Sequence, residues 1–321
     1  MKICHLFYSL NYGGIETLIV NISRWQVINN HKVDIVLLNA QENLNLIRSV
    51  HSGVNLIRIN RVKGSKNAFD LLKLNFLLFK NNYDVIHAHS AAITGFIFPL
   101  LKSKTVLHVH STLNLAQIRK ARYNRCICIS NVVKSGLTKN MVTKNVSIIY
   151  NGVDFDNFKQ RNTNLLFNKI ICVGRLKNSI KNQSYIINEF NQIKDKVNSD
   201  LYIIGEGQDF NFLCNIIYNL NLNNRVFLLG GKSQDWLKNN LCNHDLFIQA
   251  SKNEGLGIAP IESAAASLPM ILSSIEGHLE VSENGKFSKL FNPFIEGDLA
   301  NKIIDFYENS SFYFELSLKN R

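Results

Sequence analysis

The sequence predicts an α/β protein built from doubly wound parallel sheets, each covered by helices on both faces. Short, continuous Val/Ile/Leu runs alternate with longer amphipathic segments, and this alternation lapses once, at about residues 154–167, before it resumes. Strands that lack polar alternation suit a parallel sheet that meets water on neither face. A chain of 321 residues has the length of about two domains.

The strand-like runs fall into two series. The first series contains Ile3–Ser9, Val33–Leu38, Asn55–Ile59, Val85–His89, Thr105–His110, Cys126–Ser130 and Val146–Tyr150. The second series contains Ile170–Val173, Leu201–Gly205, Val226–Gly230, Asp245–Ala250, Pro269–Ser273 and Lys289–Phe291. Helical segments separate most of them, such as Ile15–Asn29, whose apolar side chains recur at helical spacing.

Charge divides the chain at the same place as the strand pattern. Residues 1–150 carry 19 basic and 5 acidic side chains, whereas residues 151–321 carry 17 basic and 19 acidic ones. We therefore predict two Rossmann-like domains, 1–155 and 156–321, that face one another across a central cleft. Ligands of such sheets bind beyond the carboxyl ends of the strands, so the residues that directly follow strands are the candidates for function.

Composition excludes several classes of protein. With 46% hydrophobic and 19% charged residues, the chain is too apolar for a disordered protein. The six cysteines form no C-x-x-C pair, which favours buried, reduced thiols in a cytoplasmic protein. The N-terminal MKICHLFYSL reads as a first strand and not as a signal peptide. The longest uncharged apolar stretch, 91–101, has about half the length of a membrane span.

Glycines and cations follow several predicted strands. Gly13 and Gly14 end the first strand, where free amides at a helix start could face an anion, although a plain tight turn explains them equally well. Gly174 and Arg175 follow the strand IICV, and Lys181 comes six residues after Arg175. A guanidinium and an ammonium beside one strand end suit a diphosphate, and two solvated cations are the alternative.

The most specific segment is NEGLGIAPIE, at residues 253–262. Its glycines allow a loop whose amides point outward, and a helix begins near Ile258. If the segment from Glu254 to Glu262 were helical throughout, the two carboxylates would lie about 12 Å apart. That distance exceeds the roughly 5–9.5 Å of a glycosidase carboxylate pair. Carboxylates that accept hydroxyl groups at the two ends of an elongated ligand fit better.

Taken together, these motifs resemble the retaining GT-B glycosyltransferases of family GT4, also called glycosyl transferases group 1, of bacterial polysaccharide synthesis. The resemblance runs from the first strand to about residue 310. It rests on GGIE at 13–16, DVIHAHS at 84–90, VLHVHS at 106–111, CISN at 128–131, NGVD at 151–154, VGRL with Lys181, GEG at 205–207 and E-x7-E at 254–262. Chains of this family commonly continue into a helix that crosses back to the first domain, whereas this sequence ends at Arg321.

The resemblance implies a role for each matching position. Arg175 and Lys181 correspond to the basic pair that binds the donor's diphosphate and stabilises the leaving nucleotide, where charge develops as the glycosidic bond breaks. Glu254 corresponds to the carboxylate that holds the donor sugar's hydroxyls, and Glu262 to the one that binds the ribose. His110 corresponds to a histidine near the reacting sugar. The remaining donor-binding positions are Gly13, Gly14, Gly174, Glu206, Gly255, Leu256, Gly257 and Ile258.

Histidines and an Asp-x-Asp sequence raise the question of a metal ion. His87 with His89, and His108 with His110, form two H-x-H pairs on neighbouring strands, and no carboxylate or cysteine completes a ligand set. We expect His110, together with His89, to point toward the ligand and the others to be packed. Asp154 belongs to the NGVD turn and is interpreted as structural. We therefore predict no metal and no cofactor, with protein cations in place of Mg²⁺.

The excess of cations in the first half indicates an acidic partner. Arg119, Lys120, Arg122 and Arg125 follow the strand that ends at His110, in the domain that binds the acceptor in this family. They suit an anionic membrane surface, a lipid-linked pyrophosphate or an acidic saccharide, and ordinary solvated cations are the alternative. Nucleic acid also attracts such charge, but none of its recognition motifs occurs.

These observations predict a transferase that moves a sugar from a UDP- or GDP-sugar to a glycan or lipid-linked acceptor with retention. Its expected location is the cytoplasm or the inner face of the membrane. One alternative is a sugar-nucleotide epimerase or a phosphorylase on the same fold. Another is a non-catalytic subunit that binds nucleotide sugars or membranes. The sugar, the base and the oligomeric state do not follow from the sequence.

Overall fold

The computed structural model describes residues 1–11, 13–65, 67–111, 121–138, 145–161 and 167–319. The chain forms two compact units, Met1–Asn151 and Gly152–Arg321. Each unit is built around one parallel sheet.

The first unit contains a seven-stranded sheet with the strand order β3-β2-β1-β4-β5-β6-β7, and every pairing is parallel. The strands are β1 (Lys2–Phe7), β2 (Lys32–Asn39), β3 (Val54–Arg61), β4 (Val85–Ala88), β5 (Thr105–Val109), β6 (Arg125–Cys128) and β7 (Val146–Ile148). The described helices are α1 (Gly14–Ile28), α2 (Leu44–Arg48), α3 (Ala68–Lys80), α4 (Ala91–Thr94), a 3-10 helix (Pro99–Lys104) and α5 (Asn131–Thr138).

The second unit contains a six-stranded parallel sheet with the order β10-β9-β8-β11-β12-β13. Its strands are β8 (Lys169–Val173), β9 (Asp200–Ile204), β10 (Val226–Leu228), β11 (Leu246–Gln249), β12 (Met270–Ser273) and β13 (Lys289–Phe291). Its α-helices are α6 (Asn178–Lys181), α7 (Gln183–Ile193), α8 (Phe210–Asn219), α9 (Gln234–Asn240), α10 (Ile258–Ala265), α11 (Glu276–Val281), α12 (Asp298–Glu308) and α13 (Ser310–Lys319), with 3-10 turns at Phe155–Asn157 and Leu241–Asn243.

Both faces of the second sheet are covered, as the continuous apolar strands predict. Ile170 and Cys172 of β8 pack in one core cluster, and Ile171 between them packs in another. Successive strand residues point to opposite faces, so two separate cores lie on the two sides of one sheet.

Every strand predicted from the sequence is present, and the α/β doubly wound fold is confirmed. The six cysteines are all free thiols, and four of them, Cys4, Cys126, Cys128 and Cys172, are buried. The side chain of Asp154 accepts a hydrogen bond from Asn157, which closes the short turn after the NGVD sequence.

Candidate functional site

The residues of the candidate site in the second unit lie in the segments that follow three neighbouring strands, β9, β8 and β11. These segments are tied together through their backbones. The amide of Leu176, after β8, donates to the carbonyl of Glu206, after β9, at 2.9 Å. The amide of Lys252, after β11, donates to the carbonyl of Ile180 in α6 at 2.7 Å. The strand order thus brings together segments that are distant along the chain.

Lys181 and Glu254 form an ion pair in this region. The ammonium of Lys181 donates to Oε1 of Glu254, and both side chains are mostly buried. Oε1 also accepts from Nε2 of Gln249 at 3.0 Å and from Oγ of Ser251 at 2.9 Å. Burial by itself would raise the pKa of Glu254, but the adjacent Lys181 ammonium outweighs it and holds the pKa below its usual value. Glu254 is therefore a carboxylate at neutral pH.

Helix α6 holds Lys181 in position. The one-turn helix ends at Asn182, which adopts a left-handed conformation with φ 57°. Its first residue, Asn178, is held at both ends, because its amide donates to Asp209 at 2.6 Å and its side chain accepts from the amide of Ser184 at 2.8 Å. A buried Asn182 in the left-handed region costs little, since asparagine tolerates this conformation. Lys181 is thus presented by a rigid turn.

Gly174 lies beside Lys181, and Arg175 follows Gly174 in the chain. The methylene groups of Lys181 run along Gly174, so that a Cβ on this glycine would sit 3.5 Å from Cε of Lys181. The carbonyl of Arg175 accepts from Nε2 of the buried Gln183 at 2.9 Å. Its guanidinium is on an exposed residue. The loop therefore offers one anchored cation and one free to reach solvent.

The glycines that flank Glu206 are required by contacts within the protein. A Cβ on Gly205 would lie 1.9 Å from the carbonyl oxygen of Gly174, and a Cβ on Gly207 would lie 2.2 Å from that of Leu176. These close approaches let the loop after β9 pack on the loop after β8. Glu206 itself is exposed. Backbone packing therefore requires both glycines of the GEG sequence, whether or not they also contact a ligand.

The loop from Glu254 to Ile258 leads into α10 as predicted. Leu256 is buried and anchors the loop, and Gly257 has φ 91°, which favours glycine. Glu262 is buried on α10 and accepts from Nε2 of Gln234 at 2.7 Å. Burial raises the pKa of Glu262 above its usual value. Its carboxylate differs in this respect from that of Glu254, so the two acids occupy different environments, as their spacing suggests.

The sequence reasoning missed His278, together with the polar partners of Glu254 and Glu262. His278 is buried on α11, its Nδ1 lies 2.9 Å from Oγ of Ser273, and burial lowers its pKa to about 4. The helix packs on the backbone of Glu254, because a Cβ on Gly277 would lie 2.5 Å from the carbonyl oxygen of Glu254. His278 lies on the first helix after β12. An inspection of the residues that follow each predicted strand could therefore have identified it.

In the first unit, Gly13 precedes α1 and Gly14 begins it, so the pair lies at a helix start as expected. The histidines form a longer row than the sequence indicates. His5 of β1 joins the four predicted ones, and N···N distances of 2.9 Å (His5 to His89) and 3.1 Å (His89 to His110) link strands β1, β4 and the end of β5. His87 and His108 pair at 3.2 Å. His89 is buried within this row, next to His110, and its orientation toward a ligand stays a prediction.

Burial keeps the rings of this row uncharged. It lowers the pKa of His5 to about 4 and those of His108 and His110 to about 3, and it lowers the pKa values of His87 and His89 as well. Among the residues that the structure describes, two groups of three histidines, His5 with His87 and His89, and His89 with His108 and His110, each have ring nitrogens within 4.8 Å of one another, and neither group includes a carboxylate or a cysteine. Neutral imidazoles pair as donor and acceptor, which accounts for these contacts.

The basic cluster after β5 is only partly described. Arg119 and Lys120 lie outside the described residues. Arg122 donates from Nη1 to the carbonyl of Ile97 at 2.7 Å, which holds its side chain against the domain, and Arg125 is exposed on β6.

Two family models match the chain. "Glycosyl transferases group 1" matches residues 154–320, and "Glycosyltransferase Family 4" matches residues 12–157. The chain belongs to the glycosyl transferases group 1 family. It is a glycosyltransferase of the GT-B type, as the resemblance predicts.

Curated relatives agree with this assignment. The chain is 28% identical to an Escherichia coli UDP-Gal:alpha-D-GlcNAc-diphosphoundecaprenol alpha-1,3-galactosyltransferase, over 87% of this chain and 80% of the relative. It is 25% identical to the Staphylococcus aureus capsular polysaccharide biosynthesis glycosyltransferase CapH, over 90% of this chain and 85% of the relative. The protein is thus related to transferases of capsule and lipid-linked sugar synthesis.

Solved structures show the same fold. Anabaena HepE in complex with UDP and glucose has a TM-score of 0.82 at 20% identity, over 99% of this chain and 92% of that one. WaaG, a glycosyltransferase involved in lipopolysaccharide biosynthesis, has a TM-score of 0.79 at 12% identity, over 99% and 94%. Within the described ranges, no helix is both long enough and apolar enough to cross a bilayer.

Proposed function

We propose that this glycosyltransferase transfers a sugar from a UDP-sugar to a lipid-linked saccharide in cell-surface polysaccharide synthesis, with retention and without a metal ion. The observation that carries the donor part is the Lys181–Glu254 ion pair beside Gly174. UDP is bound in the HepE structure, and a diphosphoundecaprenol-linked sugar is the acceptor named for the Escherichia coli relative.

The ion pair suits a diphosphate next to a sugar. An ammonium has three N–H groups, so Lys181 can donate to Glu254 and still donate to phosphate oxygens. Negative charge grows on the diphosphate as the glycosidic bond breaks, and a fixed cation there lowers the barrier. Arg175 supplies a second, exposed cation on the same loop. These two side chains supply the positive charge that Mg²⁺ supplies in metal-dependent transferases.

The carboxylates of Glu254 and Glu262 bind different parts of the donor. The three hydrogen bonds to Glu254 converge on Oε1, and we assign Oε2 to hydroxyls of the donor sugar. Glu262, held by Gln234, accepts the ribose hydroxyls. The backbone amides of Gly255–Ile258, at the start of α10, face the sugar and phosphates. The roles of Gly13, Gly14, Glu206 and His110 remain predictions from the resemblance.

Ligand-induced stabilisation tests the donor part. The melting temperature is measured with UDP-, GDP- and ADP-sugars, because a ligand that binds the native state raises it by mass action. We expect a UDP-sugar to raise it, and Glu262→Ala to abolish that rise at the same concentration. Transfer to a diphosphate-linked acceptor, with the anomer identified by NMR, tests the reaction. An inverted product, or stabilisation by no nucleotide sugar, contradicts the proposal.

A further inference from the structure

Helix α3 presents a stripe of large apolar side chains to solvent. Phe69, Leu72, Phe76 and Phe79 are 78%, 51%, 67% and 64% exposed. At 3.6 residues per turn, these four side chains fall within an arc of about 80°. The opposite side of the helix is already buried in the domain core, through Leu74 and Leu78. The exposed stripe is therefore a second apolar face that folding of the domain leaves uncovered.

The segment that begins the 3-10 helix after α4 extends this stripe. The amide of Phe98 donates to Oδ1 of Asn75 at 2.7 Å, and Nδ2 of Asn75 donates to the carbonyl of Phe96 at 2.9 Å. Asn75 lies on the flank of α3 next to Leu72 and Phe79 by helical angle. Phe98 and Leu100, which are 46% and 76% exposed, thus continue the apolar region. The α3 surface is defined as Phe69, Leu72, Phe76, Phe79, Phe98 and Leu100.

Cations border the α3 surface. Lys80 and Lys73 are exposed and fall about 20° and 40° beyond Phe69, at one edge of the stripe. The ammonium of Lys73 donates to the carbonyl of Ile59 at 3.3 Å, and that of Lys80 lies on the same edge. Lys102 is exposed on the 3-10 helix, and Lys104 donates to Oδ1 of Asn82, just beyond the end of α3. An apolar centre with a rim of lysines suits the boundary between anionic headgroups and acyl chains. Lysine is depleted in protein–protein interfaces, which argues against a protein partner here.

We propose that the α3 surface docks the first unit on an anionic membrane, with its phenylalanines inserted at the headgroup level and its lysines on the lipid phosphates. This assigns membrane contact to α3 rather than to Arg122 and Arg125. The lipid-linked acceptor of the proposed function gives the docking its purpose, but the docking itself requires only lipid.

Vesicle flotation tests the docking with the full chain. Vesicles of phosphatidylcholine alone are compared with vesicles that contain about 30% phosphatidylglycerol, and binding to the anionic ones is expected to be at least about tenfold tighter. The triple variant Phe69→Gln, Phe76→Gln and Phe79→Gln is expected to lose at least about tenfold in that affinity. Glutamine forms helices well, so α3 is retained, and circular dichroism checks this.

A matched triple variant on α8 of the second unit controls for the loss of exposed aromatic area. Phe210, Phe212 and Tyr218 are 39%, 48% and 71% exposed, and their replacement by glutamine is expected to leave vesicle binding unchanged. Equal losses in the two triple variants would overturn the proposal. So would a wild-type protein that does not bind anionic vesicles, or a wild-type dimer that the α3 variant dissociates without loss of vesicle binding.

A separate readout distinguishes this inference from the proposed function. Glu254→Gln is expected to bind vesicles like the wild-type protein, because it lies in the other unit. The α3 variant is expected to keep its donor-induced rise in melting temperature and its transfer to a short-chain, water-soluble acceptor, while transfer to an acceptor embedded in vesicles falls. Loss of both transfers would show that the α3 substitutions damage the enzyme, and would overturn the proposal.

Discussion

The ammonium of Lys181 donates to Oε1 of Glu254, although the two residues are 73 positions apart in the chain. Each lies in the segment that follows a different strand, β8 for Lys181 and β11 for Glu254, and these strands are neighbours in the sheet. Gln249 and Ser251 donate to the same oxygen, so the carboxylate is oriented before any ligand arrives. The pair therefore contributes both to the stability of the second unit and to the proposed donor site.

The two side chains should be coupled in stability. Lys181→Met and Glu254→Gln are each expected to lower the free energy of unfolding of the second unit by about 1–3 kcal/mol, because each leaves a mostly buried charge without its charged partner. The double variant should lose less than the sum. The chain has two tryptophans, and Trp236 lies in the second unit, so urea unfolding is followed by its fluorescence in a Trp25→Phe background. Additive losses would refute the coupling.

Transfer activity should separate the two roles. Glu254→Ala is expected to abolish transfer while circular dichroism stays unchanged. Lys181→Ala should raise KM for the donor and lower kcat, because its cation meets charge that is present in both the ground and transition states. The matched control is Glu283→Ala, an exposed carboxylate that pairs with Lys286, which should keep wild-type kinetics. Unchanged turnover by Glu254→Ala would rule out its assigned role.

Chelation should leave the reaction unaffected. If Arg175 and Lys181 stabilise the departing diphosphate, then excess EDTA is expected to change kcat by less than about twofold. A metal-dependent transferase assayed in parallel confirms that the chelator works. A loss of turnover with EDTA that Mg²⁺ or Mn²⁺ restores would contradict the metal-free mechanism.

Gly205 should tolerate no side chain. Gly205→Ala places a Cβ 1.9 Å from the carbonyl oxygen of Gly174, so one of the two loops must move. We expect a loss of about 3 kcal/mol or more in the stability of the second unit. Gly230→Ala is the control: its φ is positive, but apart from its chain neighbours no atom of the described residues lies within 4 Å of its Cβ, and it should cost only about 1–2 kcal/mol. Similar melting temperatures for the two variants would contradict the packing argument.

The histidine row should make the first unit sensitive to acid. The pKa of His5 is lowered to about 4 and those of His108 and His110 to about 3, whereas the unfolded chain binds these protons near pH 6.5. A base with a depressed folded pKa favours unfolding as the pH falls, so stability should drop between about pH 6.5 and 4. Each group contributes up to about 1.4 kcal/mol per pH unit.

Urea unfolding from pH 7 to 5, followed by Trp25 in a Trp236→Phe background, measures this dependence. His108→Gln should reduce the pH slope by about one proton. His244→Gln, which changes a histidine of the second unit, should leave the slope of the first unit as it is. A wild-type slope that His108→Gln does not change would show that the row does not take up these protons on unfolding.

Local patterns carry much of what could be predicted. Apolar runs such as IICV and DLFIQAS identify β8 and β11. A strand that is buried on both faces is apolar at nearly every position, so it can be recognised from its own sequence alone. Glycines after strands mark the loops that approach a ligand or another backbone, and E-x7-E marks the family. The glycines of the GEG sequence show what such patterns cannot distinguish. The pattern predicts that they approach a ligand, but the closest contacts of a Cβ at either position would be with the carbonyls of Gly174 and Leu176.

The sequence by itself determined the strands, the repeated doubly wound pattern and the family, since each depends on residues that are near one another in the chain. Only the tertiary structure decided that Lys181 meets Glu254, that His5 joins a row with His87 and His89, and that α3 keeps an apolar face uncovered. Such contacts between distant residues depend on which strands become neighbours. The strand order β10-β9-β8-β11-β12-β13 is set by the packing of the whole domain and not by the sequence of any single strand.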